Sequence, residues 1–174
     1  MQMQNRLVTV IGGSGFVGRY LVKHLAEHGA RIRVAVRRPD EALFLKPLGD
    51  VGQVVPVQAN LRVPPSIAAA VAGADMVVNL VGVLYQRGPQ TFHALHTRGA
   101  EVAAREARLA GARRFIQISA IGADLEAPSQ YGRSKAAGEA AVRHEFPQAT
   151  IIRPSLVFGP EDDFFNRFGA LARV

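Results

Sequence analysis

Tyr131 and Lys135 stand four residues apart in Tyr131-Gly132-Arg133-Ser134-Lys135, which puts both side chains on one face of a helix. A phenol titrates at about pH 10 in water and acts as an acid or base near neutrality only if its phenolate is stabilised. An ammonium one turn away supplies that stabilisation electrostatically, and the same lysine could hold the ribose of a nicotinamide. A second constellation is Ile11-Gly12-Gly13-Ser14-Gly15-Phe16-Val17-Gly18, where Gly12, Gly15 and Gly18 form G-x-x-G-x-x-G and Gly13 adds a fourth glycine. Such a turn brings backbone close to a pyrophosphate, and the helix that follows offers it unpaired N–H groups and a positive dipole end. A third is Arg37-Arg38, about where a dinucleotide-binding chain that prefers NAD carries the acid that holds the adenosine ribose hydroxyls. A guanidinium pairs with a 2′-phosphate that a carboxylate would repel, so the expected ligand is NADP(H), with NAD(H) as the alternative. Asn60-Leu61 falls where the adenine ring should rest; Asn60 either bonds its edge or caps the turn.

These groups need a scaffold, and the hydrophobic pattern supplies one. Leu7–Ile11 reads as a buried strand, followed by a helix over residues 16–28 with Val17, Tyr20, Leu21 and Leu25 at helical spacing. Arg31–Val36, residues 54–59, residues 76–81, Arg114–Ile118 and Thr150–Ile152 read as further strands. Between them fall a short helix opened by Pro39-Asp40, an Ala-rich helix from Pro64 to about Gly73, a long helix over residues 91–110, and a helix capped by Ser129 that runs to Glu145. Strands alternating with helices imply βαβ units, right-handed crossovers and a Rossmann-type doubly wound parallel sheet, α/β in class, with helices on both faces. Residues 1–174 form a single domain in this reading. The polar loop over residues 82–90 follows the fourth strand on the ligand-binding edge, so Val81 and Gly82 join the expected cofactor contacts.

Composition narrows the classes. Hydrophobic residues make up 48% and charged residues 20%, the balance of an ordinary globular domain. The net charge of +7 fits an anionic partner, but the arginines are scattered, which argues against a nucleic-acid stripe. The apolar stretch over residues 76–85 is too short to span a bilayer, the opening residues carry no secretory pattern, and there is no cysteine. A cytoplasmic, reducing compartment is therefore expected. The pairs His24/His28 and His93/His96 lack a third ligand, so no metal site is expected. Asp162-Asp163 reads as a helix cap.

With these motifs in place, the chain resembles the short-chain dehydrogenase/reductase superfamily, in its extended or atypical branch. The resemblance spans nearly the whole chain and rests on Gly12-x-x-Gly15-x-x-Gly18, Asn60-Leu61, Tyr131-x-x-x-Lys135 and Arg153-Pro154-Ser155-Leu156-Val157-Phe158-Gly159-Pro160. It implies that Tyr131 exchanges a proton with substrate, that Lys135 assists, that Ser119 bonds the reacting oxygen, and that Pro154, Ser155 and Val157 run beside the nicotinamide. His96 stands where many members carry an Asn. A narrower resemblance, in the segments over residues 78–85, 118–123 and above all 158–168, is to bacterial and mitochondrial relatives of an accessory subunit of respiratory complex I. That implies tight NADP(H) binding and a peripheral place among respiratory complex subunits, on the inner face of the plasma membrane or the matrix side of mitochondria. The alternative is an active reductase or a sugar-nucleotide epimerase/dehydratase using Tyr131 and Lys135. Such relatives carry a C-terminal substrate lobe, which this chain is expected to lack. Its last helix, over residues 162–173, then presents an apolar face with a tendency to self-associate.

Overall fold

The computed structural model describes residues 3–162 and 166. Six strands, β1 (Leu7–Ile11), β2 (Arg31–Val36), β3 (Val54–Gln58), β4 (Met76–Asn79), β5 (Arg114–Ile118) and β6 (Thr150–Ile152), form one sheet in the order β3-β2-β1-β4-β5-β6, every pair parallel. This is the doubly wound Rossmann arrangement, in which the chain reverses direction between β1 and β4 and opens a crevice at their carboxyl ends.

Alternation along the strands builds a core on each face. Val8 and Val10 of β1, with Ile32 and Val34 of β2, pack under α1 (Phe16–Glu27) and a run of 3₁₀ turns at Pro39–Leu48. Ile11, Ala35, Val77 and Phe115 face the other way, against α2 (Pro64–Val71), α3 (Arg98–Leu109) and α4 (Gln130–Glu145). Thr9 shares that second face, and its Oγ1 donates to the Ala70 carbonyl at 2.9 Å while Arg33 donates to the Ala70 and Ala72 carbonyls. The orphan carbonyls at the end of α2 are thus satisfied from the sheet. Ser129 caps α4 as expected, accepting from the Gly132 N–H at 3.0 Å.

Three boundaries differ from the sequence reading. The fourth strand stops at Asn79 because the Asn79 side chain takes over the ladder's role: its Oδ1 accepts from the Val81 N–H, and its Nδ2 donates to Gln117 on β5 at 2.9 Å. The element after Pro39 is 3₁₀, with Pro47 inside it. The helix over residues 91–110 begins with a π-helical turn, His93–Thr97, before α3. That turn inserts one residue into the helical register and buries Leu95 and His96 side by side. The last helix expected from sequence lies almost wholly outside the described residues.

Candidate functional site

The glycine turn leads from β1 into α1. Gly12 adopts φ +80, a conformation that favours glycine, and a Cβ on Gly18 would come within 2.5 Å of the Gly13 carbonyl oxygen. Gly18 therefore lets α1 sit against its own turn. Gly15 differs: it is exposed, has φ −73 and ψ 178, and a Cβ there would meet only the Gly12 oxygen, at 3.4 Å. The protein leaves that space open in front of a helix N-terminus whose N-cap makes no side-chain bond.

A cleft of about 290 Å³ runs from this turn across the carboxyl ends of β2, β3 and β4. Gly12, Ser14, Gly15, Arg37, Asn60, Leu61, Val81 and Gly82, all expected from the sequence, line it. Gly13 is buried beneath, facing Val10 and Val34, and Phe16 packs edge-on against Tyr20 and under Gly159. Val17, Ser155 and Val157 are exposed and Pro154 is half-buried, and none of these four lines the cleft. The two arginines part company: Arg37 faces the cleft, while Arg38 pairs with Glu41 at 2.8 Å. Asn60 holds the turn, its Oδ1 accepting from the Arg62 N–H at 3.0 Å and its backbone N–H donating to Ser66 Oγ at 2.9 Å. Its side-chain oxygen is thereby committed, and its amide nitrogen is the group left for a ligand.

Sequence reasoning missed Arg62, Val83, Gln90 and Leu95 among the lining residues. Arg62 lies two residues past Asn60, and only that proximity could have pointed to it. The lining contains two arginines and no carboxylate, so an anionic ligand meets no like charge there.

The second half of the site lies beyond β4. Lys135 is 5% exposed, and its Nζ donates to the Ile118 carbonyl at 2.9 Å, an oxygen that also accepts from Gln117 Nε2. Burial pushes its pKa down to about 8, against an opposing pull from Glu139 one turn on. Tyr131 packs edge-on against Phe92 and His96, and burial raises its pKa. His96 is 2% exposed and fully engaged. Its Nε2 accepts from the Val83 N–H at 3.0 Å, which places the ring proton on Nδ1, 2.9 Å from Ser134 Oγ; that hydroxyl donates in turn to the Tyr131 carbonyl at 2.7 Å. Burial, aided by the Lys135 charge, holds the His96 pKa down at about 4, so the ring stays neutral. A Cβ on Gly138 would fall 2.0 Å from the His96 carbonyl oxygen, so α4 reaches this turn only with glycine there.

Ser119 is buried, and its Oγ makes no hydrogen bond of ordinary distance and angle, though its proximity helps to lower the Glu139 pKa. Glu139, 1% exposed, takes a two-pronged bond from Arg153, at 2.8 and 2.7 Å, and a third contact from Arg143 at 3.2 Å. Burial raises its pKa, and these partners outweigh that and hold the carboxyl low. His24 and His28 lie ring to ring at 4.8 Å, and His93 is exposed while His96 is buried; among the described residues no three His, Cys, Asp or Glu side chains are placed to hold a metal. No helix of the described residues is long and apolar enough to cross a membrane.

Comparison with known proteins agrees with this geometry. A family model described as NAD(P)H-binding matches residues 12–162. The protein "NADH dehydrogenase (ubiquinone) 1 alpha subcomplex subunit 9, mitochondrial" of Arabidopsis thaliana is 41% identical over 162 residues, covering 92% of this chain and 40% of its own length. A "Ceramide reductase" of Caulobacter vibrioides is 38% identical over 156 residues, covering 90% of this chain and 48% of its own. Among solved structures, a putative NAD-dependent epimerase/dehydratase from Bacillus halodurans superposes with a TM-score of 0.76 at 26% identity, over 91% of this chain and 74% of that one. The chain thus spans less than half the length of the two curated relatives.

Proposed function

The chain belongs to the NAD(P)H-binding family, and we propose that it holds NADP(H) in preference to NAD(H), as a nucleotide-binding accessory subunit of a respiratory NADH:quinone oxidoreductase. The observation that carries the cofactor preference is Arg37, set in a cleft that no carboxylate lines. In this reading the backbone at Gly12, Ser14 and Gly15 meets the pyrophosphate at the N-terminus of α1. Arg37 meets the 2′-phosphate, Asn60 Nδ2 and Leu61 the adenine, and Val81, Gly82 and the strand-six segment around Pro154 the nicotinamide half. Lys135 gives its ammonium to the adjoining ribose. The bound nicotinamide supplies two-electron redox chemistry. The accessory role draws on the similarity to the mitochondrial NADH dehydrogenase subunit, and a place at the inner membrane face beside respiratory subunits is proposed as what that role entails. The test is a titration of NADPH and NADH against the protein and Arg37→Ala. The parent should bind NADPH more tightly, and the variant should lose most of that margin. Tighter NADH binding by the parent would refute the preference, and failure to copurify with respiratory subunits from its own cell would refute the accessory role.

A second reading, an active reductase, has its own support in Tyr131 and Lys135 on one face of α4, with the Lys135 pKa near neutrality, and in the similarity to a ceramide reductase. Tyr131 would pass its proton to the reacting oxygen and Lys135 would hold the ribose. Oxidation of bound NADPH by an added ketone, lost in Tyr131→Phe, would establish that reading; no oxidation with ketones of several classes would count against it.

A further inference from the structure

We propose that Arg62 is the second arm of the 2′-phosphate site, closing from the end of β3 while Arg37 closes from the end of β2. The inference rests on the NADP(H) reading above and extends it to a residue that lies outside the fingerprint turn and the arginine pair. Both arginines line the same cleft, and their strands are adjacent: β2 and β3 are parallel and pair through Val36 and Gln58, so both end at the same edge of the sheet. Neither guanidinium has a hydrogen bond or ion pair among the described residues, whereas Arg38 is taken by Glu41. The backbone of Arg62 is fixed: the Asn60 Oδ1 holds its N–H at 3.0 Å, and the next N–H, of Val63, is held by the Asn60 carbonyl at 2.8 Å. Arg62 is thus a cation on a rigid turn.

Two guanidiniums at one end of a carboxylate-free cleft repel each other until an anion joins them. A phosphate monoester near neutrality carries a charge of about −1.5 to −2, more than one arginine neutralises, and three acceptor oxygens that two forks can share. The remainder of a dinucleotide presents no such dianion at the β2–β3 end, since its pyrophosphate belongs at the α1 N-terminus on the other side of β2. The competing role for Arg62 is to lay its guanidinium plane on the adenine, which would serve every adenosine ligand alike.

Adenosine 2′,5′-bisphosphate and 5′-AMP separate the two, because they differ only in the 2′-phosphate and both omit the nicotinamide end. Calorimetric titration of both ligands into the parent, Arg37→Ala, Arg62→Ala and Arg62→Lys is the experiment, with melting temperatures to confirm that the variants are folded. Arg62→Ala should weaken the bisphosphate by about tenfold or more and 5′-AMP by less than about twofold, with Arg62→Lys between parent and Arg62→Ala. Equal weakening of both ligands, or of neither, overturns the proposal. If Arg37→Ala loses the bisphosphate and Arg62→Ala does not, Arg62 is no part of the site and the NADP(H) preference stands on Arg37. If the parent itself does not distinguish the two ligands, the preference fails, and the role of Arg62 with it.

Discussion

Replacing Gly15 by Ala should separate nucleotide binding from folding. The backbone at Gly15 is extended, with φ −73 and ψ 178, so alanine adopts it without strain. The new methyl would meet only the Gly12 oxygen, at 3.4 Å, an ordinary contact. Two small effects then oppose each other. Lower entropy of the unfolded chain stabilises by about 0.4–1 kcal/mol, and alanine as an N-cap costs about 0.5–1 kcal/mol. Net stability should stay within about 1 kcal/mol of the parent. Binding should not survive so well. A pyrophosphate oxygen needs to approach the α1 N–H groups to about 2.9 Å, and the methyl stands in that approach. Hydrogen bonds to a charged group are worth about 1.5–3 kcal/mol each, so losing two costs about 3 kcal/mol or more, roughly a hundredfold in Kd. Gly18→Ala makes the contrast, because its Cβ would lie 2.5–2.6 Å from three backbone atoms of Gly13 that cannot turn away. It should lose stability by about 1–3 kcal/mol or more even without nucleotide. Thermal melts and calorimetric NADPH titration of both variants are the assay. NADPH binding by Gly15→Ala within about threefold of the parent would show that no pyrophosphate sits over that residue, and the assignment of the turn would fail.

The buried titrating groups give three further expectations. His96 has a folded pKa of about 4 against an ordinary value of 6.5, so between those values the unfolded chain binds more protons. Its contribution is complete above about pH 6.5 and is lost as pH falls toward about 4; urea unfolding across that range should show a slope that His96→Gln flattens. Lys135, at about 8 against 10.5, works in the same sense at higher pH: stability should rise between those values, and Lys135→Met should abolish the rise. At the Glu139 cluster the partners are unequal, since Glu139 is 1% exposed and the Arg153 side chain 47%. Glu139→Gln leaves two arginines that reach water, whereas Arg153→Met strands part of a buried carboxylate, so Arg153→Met should be the more destabilising of the two by denaturant unfolding.

The strands and the glycine turn were legible because burial writes them directly. Val8, Val10, Ile32 and Val34 alternate with residues of the opposite face, and the periodicity that separates the two cores is already in the string. The Ser129 cap was readable for the same reason, being a local rule satisfied locally. What stayed hidden depends on contacts between distant segments. The early end of β4 follows from Asn79 meeting Gln117, 38 residues away. The π-helical turn leaves no readable mark, since its five residues are shorter than the window over which helical periodicity is read. The division of labour within Arg37-Arg38 was settled by Glu41, which reaches one arginine and not the other. Arg62 carried no sequence pattern at all; it reaches the cleft because β3 ends beside β2.

The two halves of the site differ in readiness, and that difference bears on function. Along the cleft from β1 to β3 the groups a dinucleotide needs are free among the described residues: an open helix N-terminus, an uncommitted Arg37 and the Asn60 amide. At the Tyr131 end they are occupied. The sequence suggested that the Lys135 ammonium would ease ionisation of Tyr131, yet burial raises the phenol and the lysine is bonded to the Ile118 carbonyl. His96 cannot relay a proton from Nε2 while that nitrogen accepts from Val83. Ser119, the helper expected for a reacting oxygen, sits beside Glu139, whose carboxyl it helps to hold ionised. An acid–base site at rest with its lysine and histidine bonded elsewhere has to rearrange those contacts to turn over. A binding site with its cation and backbone donors exposed need break none. The geometry therefore weighs toward a chain that holds a nucleotide. With one ammonium donor on the Ile118 carbonyl, Lys135 keeps two for a ribose or for Tyr131, and ¹⁵N chemical shifts of the ammonium, with and without NADPH, should move if either is used.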